Sequence, residues 1–184
     1  MSELDELREV QTASREIFDG KIMHVFEDTV RLPDGNAATR EYMRHIGAVC
    51  VIPVLENGDV LVERQYRYPV GQVLTEIPAG KLDRRDEDRL LAAQRELREE
   101  TGAEAGEWTS LGLFYPACAY SDEAIEMFLA RGIRFGERHL DKDEFLNVTR
   151  VPLAALLEAV MAGEVPDAKT QIAVLKAARL LGLR

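Results

Sequence analysis

"EIPAGKLDRRDEDRLLAAQRELREETGA", residues Glu76–Ala103, carries eight acidic side chains and crowds Glu96, Glu99 and Glu100 into five positions. Like charges three or four apart on a helix repel by about 0.2–0.5 kcal/mol per pair in water, and partial burial raises the penalty. The segment still reads as the strongest helix in the chain, over 86–101. Asp86 stands at the N-cap, acidic residues fill the first turn, and Gly102 marks the stop. Leu90, Ala93, Leu97 and Thr101 recur at helical spacing and predict one buried stripe. At 100° per residue the three glutamates fall within roughly 100° of arc; Leu97 faces the stripe and Arg98 points away. Two readings follow. Either this is a solvated acidic face relieved by Arg95 and Arg98, or it is a site for Mg²⁺ or Mn²⁺, hard cations that take carboxylates, waters and phosphate oxygens. Pro78-Ala79-Gly80 reads as a tight turn just before the helix, with carbonyls that could face the same cations.

Outward from this helix the chain is rich in strand signals. Residues 1–16 read as helical or frayed. "KIMHVFEDTVRL" mostly alternates, Pro33-Asp34-Gly35-Asn36 is a turn and "ATREYMRHI" returns, giving a hairpin or a three-stranded sheet with its neighbours. "GAVCVIPVL" predicts a buried strand, Asn57-Gly58 a tight hairpin turn and "DVLVERQYR" the return strand. "LTEIPAG" is a short strand. After the helix, "WTSLGLFYP", "EAIEMFLARGI" and "FLNVTRVPL" read as strands, the last leading into a helix at about 153–162, and Asp167 caps a final helix to about Leu181. This order predicts an α+β fold, an α/β/α sandwich with a mixed central sheet between helices and an added N-terminal antiparallel sheet. The expected division is 1–46 and 47–184.

With 184 residues, 46% apolar and 30% charged, the chain has the composition of a soluble globular protein. No apolar run approaches the length of a membrane span, so no membrane partner is expected. The formal net charge of −10 argues against a nucleic-acid partner, and any phosphate substrate would need local positive charge from arginines or metal ions. MSELDELREV has no apolar leader core, and the two cysteines, Cys50 and Cys118, do not make a disulfide framework. A cytoplasmic location is expected, with Cys50 a buried thiol. His24, His45 and His139 show no zinc spacing and receive no role.

Glu87, Arg95, Glu96, Leu97, Glu99, Glu100 and Gly102, with Gly80 upstream and Ala103 in place of the final aliphatic residue, resemble the Nudix box. The resemblance departs at one point, since six residues rather than five separate Gly80 from Glu87. It implies a metal-dependent Nudix hydrolase that cleaves a nucleoside diphosphate linked to another group, with Mg²⁺ (or Mn²⁺) as cofactor. Glu96 and Glu100 would be metal ligands, helped by the Ala79 carbonyl. Glu99 would be a third ligand or a catalytic group behind the ligands. Arg95, paired with Glu87 or a helix carboxylate, would hold the catalytic geometry. Over almost the full length, "GKIMHVFEDTVRLPDG", "HIGAVCVIPV", "VLVERQYRYP", "EIPAGKLD", "FYPACAYSDE" and "GEVPDAKTQIAVL" are similar to the ADP-ribose pyrophosphatase branch, as is Pro116 in the second strand after the box.

That branch implies a small-molecule nucleotide-sugar substrate, ADP-ribose cleaved to AMP and ribose 5-phosphate. GDP-mannose or another nucleotide sugar is the alternative, and a non-catalytic ADP-ribose sensor is the second. A sensor would be expected to lose box carboxylates or carry a DNA-binding domain, and none of the core carboxylates is missing. Arg67 is a planar fork suited to a diphosphate oxygen and falls at the branch's substrate arginine; Arg44 is a weaker candidate of the same kind. Glu76 would receive a ribose hydroxyl or base amino group, or pair with Arg67. Tyr66, Tyr68, Tyr115 and Tyr120 are candidates for stacking on adenine, or for the core or an interface. The general base resembles a loop glutamate beyond the box: Glu144, with Asp141 and Asp143 as competitors. Branch members resemble homodimers in which the N-terminal sheet reaches over the partner.

Overall fold

Six consecutive buried residues, Ala48–Pro53, form β4, the central strand of the larger part of the chain. The computed structural model describes residues 6–139 and 145–183. β4 is covered on both faces, which is why its sequence is an unbroken apolar run without alternation. It pairs in parallel with β9 (Ile125–Phe135), from Ala48 opposite Ile125 to Pro53 opposite Ala130, and antiparallel with the short β7 (Ala79–Lys81). β8 (Ala103–Phe114) completes a mixed sheet in the order β7-β4-β9-β8. Val49 and Val51 pack with Ala92, Ala93 and Leu97 of α1 (Arg89–Thr101). Cys50 and Ile52 pack with Leu153 and Leu156 of α2 (Leu153–Met161) and with Val174 and Ala177 of α3 (Ala168–Leu180). The mixed sheet between helices is therefore the fold that forms. A second, antiparallel sheet joins β10 (Leu146–Pro152), β5 (Asp59–Arg67) and β6 (Gln72–Glu76).

Several local expectations are corrected. The Asn57-Gly58 turn closes, with the Gly58 amide bonded to the Leu55 carbonyl at 3.0 Å, but β4 and β5 then part into different sheets, linked by one bridge between Val54 and Val60. Ala79-Gly80 belongs to β7, not to a tight turn, because β4 offers it an antiparallel edge. Helix α1 begins at Arg89, not at 86. Asp88 is its N-cap, its carboxylate accepting the amides of Leu90 and Leu91, and no acid lies in the first turn. Pro116 follows the end of β8 and lies in no strand.

Packing divides the chain into two units, one ending at His45 and taking in Ala117–Glu123, the other comprising Ile46–Pro116 and the chain from Ala124 onward. The first contains an antiparallel sheet of β1 (Val10–Asp19), β2 (His24–Arg31) and β3 (Ala37–Arg44). β1 replaces the helical or frayed segment expected there. All ten of its residues are exposed, so it has no buried face to impress an alternation on the sequence.

The two thiols differ in environment. Cys50 is fully buried, and burial pushes its pKa up to about 12, whereas Cys118 is exposed. A thiol-disulfide titration of the native protein at neutral pH should therefore count one reactive cysteine, rising to two in denaturant.

Candidate active site

The acidic helix is held at both ends. Asp88 caps its start, and at its end Gly102 takes the left-handed conformation (φ 70°), donating its amide to the Arg98 carbonyl at 2.9 Å. Ala92, Ala93 and Leu97 of α1 lie against the sheet, and Glu96 and Glu100 are carried inward with them. These two carboxylates are only 9% and 4% exposed. Both lie against β7. Glu100 Oε2 accepts the Ala79 amide at 2.9 Å. Glu96 occupies the space that a side chain at position 80 would fill: a Cβ on Gly80 would sit 2.1 Å from the Glu96 carboxyl carbon.

Arg95 organises the rest of the cluster. Its Nη1 donates to Glu96 at 2.7 Å and Glu99 at 3.3 Å, and its Nη2 donates to the Lys81 carbonyl at 3.2 Å. Glu87 lies 3.6 Å from Nη2 and Asp83 3.5 Å from Nε. The loop that contains the extra residue before the helix folds on itself, the Asp83 amide donating to Glu87 at 2.6 Å, and still leaves Glu87 beside Arg95. One guanidinium thus faces four carboxylates, with Glu100 next to them. An all-oxygen donor set with excess negative charge fits a divalent cation, and the missing side chain at Gly80 leaves room for the carboxylate of Glu96.

Glu96, Glu99 and Glu100 do not converge as closely as a second acidic group. Among the described residues, the trio whose ligand atoms lie within 4.8 Å of one another is Glu16, Asp19 and His24, in the N-terminal sheet. There Asp19 and His24 Nδ1 are 2.6 Å apart. On α1, Arg95 draws Glu96 and Glu99 to itself while the Ala79 amide holds Glu100.

Arg67 and Glu76 meet across the β5–β6 pair. Arg67 Nε and Nη2 each donate to a different Glu76 oxygen at 2.7 Å, a bidentate pair. Glu76 is 2% exposed and also accepts from Lys169 on α3. Burial pushes the Glu76 pKa up, but the Arg67 hydrogen bonds and the Lys169 charge outweigh it and leave the carboxyl below its ordinary value. Its contribution to stability is therefore complete above the ordinary carboxylate pKa and is lost only as pH falls through the lowered one. Lys169 was not singled out from sequence. The available signal is a lysine in the first turn of a helix, where the macrodipole disfavours a cation unless it has an anionic partner.

Arg44 lies in the N-terminal unit, its guanidinium 3.8 Å from the centre of the Phe26 ring and bonded to the Tyr42 hydroxyl. Tyr66, Tyr68, Tyr115 and Tyr120 are all exposed, which removes the core reading for them. Asp141, Asp143 and Glu144, the candidate bases, lie outside the described residues.

A mixed sheet between helices, with a metal-competent acidic helix on one face, defines a Nudix-type hydrolase domain. The NUDIX domain model matches residues 43–172, and a nucleoside diphosphate sugar hydrolase N-terminal domain model matches residues 10–43. The chain belongs to the Nudix family and is a Nudix hydrolase. It is 40% identical to an ADP-ribose pyrophosphatase of Bacillus subtilis (strain 168), over 91% of each chain. It is 36% identical to a methanol dehydrogenase activator of Bacillus methanolicus, over 95% of this chain and 94% of that one. A solved structure described as an ADP compounds hydrolase superposes with a TM-score of 0.85 over 95% of both chains at 21% identity, a likeness of fold.

Gly80→Ala isolates the fit between β7 and Glu96. The clash is with the mobile end of a side chain, so the fold should be kept and the carboxylate displaced. Expected are a near-native melting temperature and divalent-cation affinity or activity lower by about 10- to 100-fold, read by calorimetric metal titration and turnover.

Proposed function

We propose that this chain hydrolyses ADP-ribose to AMP and ribose 5-phosphate. The observation that carries the reading is the buried acidic face of α1, on which one arginine is set against more carboxylates than it can neutralise. Likeness to an ADP-ribose pyrophosphatase over nine-tenths of both chains supports ADP-ribose as the substrate. GDP-mannose or another nucleotide sugar is the second reading, because the α1 cluster would act on the diphosphate and would not distinguish the base. We assign the cation to Glu96, Glu100 and the Ala79 carbonyl, with Glu99 as a third ligand or as a catalytic group behind the ligands. Nudix hydrolases are generally divalent-metal dependent, and Mg²⁺ is our choice, with Mn²⁺ as substitute. When bound, the cation neutralises phosphate oxygens and lowers the pKa of the attacking water.

The protein's own groups account for the rest. Water adds to one phosphorus, the bond from that phosphorus to the bridging oxygen breaks, and the bridging oxygen leaves on the other phosphate. The water's proton passes to a carboxylate within hydrogen-bond reach; Glu144 is our choice, with Asp141 and Asp143 next. Arg95 keeps Glu96 and Glu99 from swinging away. Arg67 spends Nε and Nη2 on Glu76, and its remaining edge is the donor for a diphosphate oxygen. Arg44 is a second candidate for the substrate's charge. We further propose a cytoplasmic homodimer built through the N-terminal sheet. Support comes from β1, exposed throughout with Val10, Ile17 and Phe18 on its surface, and from two unpaired cysteines. No described helix is long and apolar enough to cross a membrane.

The test is phosphate-ester release from ADP-ribose, GDP-mannose, ADP-glucose, NADH, diadenosine polyphosphates and nucleoside triphosphates, with Mg²⁺ or Mn²⁺. ADP-ribose should be preferred, and Glu100→Gln should lower its turnover by at least about 100-fold, since loss of even an indirect metal-site partner costs 10–100-fold. Preference for another compound would overturn the substrate, and turnover of none with ADP-ribose still bound would identify a sensor. Sedimentation at micromolar concentration should give a dimer; a monomer would remove the assembly proposal.

A further inference from the structure

The first turn of α3 reaches the substrate side of the site from 93 residues away in sequence. Thr170, fully buried, has its hydroxyl oxygen 2.9 Å from the Ile77 amide, which donates to it, and donates in turn to Asp167 Oδ2 at 2.6 Å. Asp167 also accepts the Thr170 amide at 3.0 Å, as the helix N-cap, and takes Lys169 Nζ on its other oxygen at 3.0 Å. The same Nζ donates to Glu76 Oε2. Lys169 and Glu76 are both largely buried, with side chains 11% and 3% exposed. Arg67, on the other side of Glu76, is 43% exposed and open to solvent.

Glu76 is therefore a buried anion between two cations that differ in accessibility. Lys169 is locked by two carboxylates and cannot swing out without leaving both in a poorly solvated site. The Arg67 guanidinium is fixed by Glu76: among the described residues its side-chain hydrogen bonds go to that carboxylate. The planar bidentate geometry transmits the orientation of the carboxylate to the guanidinium. If Glu76 rotates, the free edge of Arg67 rotates with it.

We propose that Lys169 is a positioning residue for substrate binding: it fixes the Glu76 carboxylate, and through it the edge of Arg67 that receives the diphosphate. This rests on the proposed diphosphate chemistry. It assigns to α3 a part in substrate binding without contact with the substrate. Because Arg67 would bind the ground state and the transition state alike, the loss should fall mainly on KM.

A double-mutant cycle tests it with the full-length protein, using whichever compound of the panel the wild type hydrolyses. Lys169→Met should raise KM by about tenfold and change kcat by less than about threefold in the wild-type background. In an Arg67→Ala background the same change should cost less than about twofold, because the residue it positions is gone. Lys169→Arg, which keeps the charge, should recover part of the loss. Melting temperature is followed alongside, and Lys169→Gln replaces the methionine variant if that one fails to fold. An equal effect of the substitution in both backgrounds, an effect confined to kcat, or a lowered melting temperature with unchanged KM would each overturn the inference while leaving the function intact. Wild-type inactivity across the whole panel would overturn the function, and this inference with it.

Discussion

The site depends on holding several carboxylates on one partly buried helix face. In water the repulsion between them is small, but next to the apolar contacts of Leu97 and Ala93 it grows, because low-dielectric surroundings screen charges poorly. Three features make the arrangement tolerable. Arg95 is shared among Asp83, Glu87, Glu96 and Glu99. A β7 amide is spent on Glu100. A glycine stands where any side chain would collide with Glu96. Each fixes position, and Arg95 supplies charge as well. The repulsion that remains would give a divalent cation a higher affinity for the folded helix than for the unfolded chain, so its binding should also stabilise the protein.

The sequence made this half of the site legible because its determinants are local. Arg95, Glu96, Glu99 and Glu100 all belong to one helix, capped by Gly102, whose period is fixed by geometry. The starting residue was misread because Asp86 and Asp88 are both competent caps; Glu87, engaged with the Asp83 amide and Arg95, ties 86 into the loop and leaves 88 to cap. The central sheet was equally readable, since β4 has no polar face. Its partners were less so. The turn at Asn57-Gly58 indicates reversal but not which sheet receives the returning strand, and that is settled by β9, far along the chain. β1 was missed because burial writes the strand pattern into sequence, and nothing in this chain's described structure buries β1.

The other half of the site was opaque for a different reason. Asp167 is visible as a cap and Glu76 as the acid that opens the EIPAG stretch, yet no local rule connects them. Their connection passes through Lys169 and Thr170 and exists only once the fold has brought α3 onto the sheet. The pairing also changes what Glu76 can do. An exposed carboxylate at that position would be free to accept from a sugar hydroxyl. Held by Arg67 on one side and Lys169 on the other, with its pKa depressed, it is already supplied with donors, and the part proposed for it is to orient Arg67.

This division bears on how substrate preference can vary while the chemistry is kept. In the proposed function the acidic helix would meet a feature common to every nucleoside diphosphate derivative, the phosphate oxygens, and its geometry is fixed by a helix cap and a strand edge. The groups proposed to meet the rest of the substrate, Arg44 and the exposed tyrosines, stand on other elements than α1. A change in any of them leaves the carboxylate constellation untouched. Substrate identity is therefore the property that the α1 motif constrains least, and a relative alike over nearly the whole chain can carry a different functional description. Arg67 differs from both: its proposed task is diphosphate recognition, common to the class, and its partner Glu76 is held from α3 and not from α1. A substitution in the first turn of α3 can thus weaken binding of every diphosphate substrate together, without altering which one is preferred.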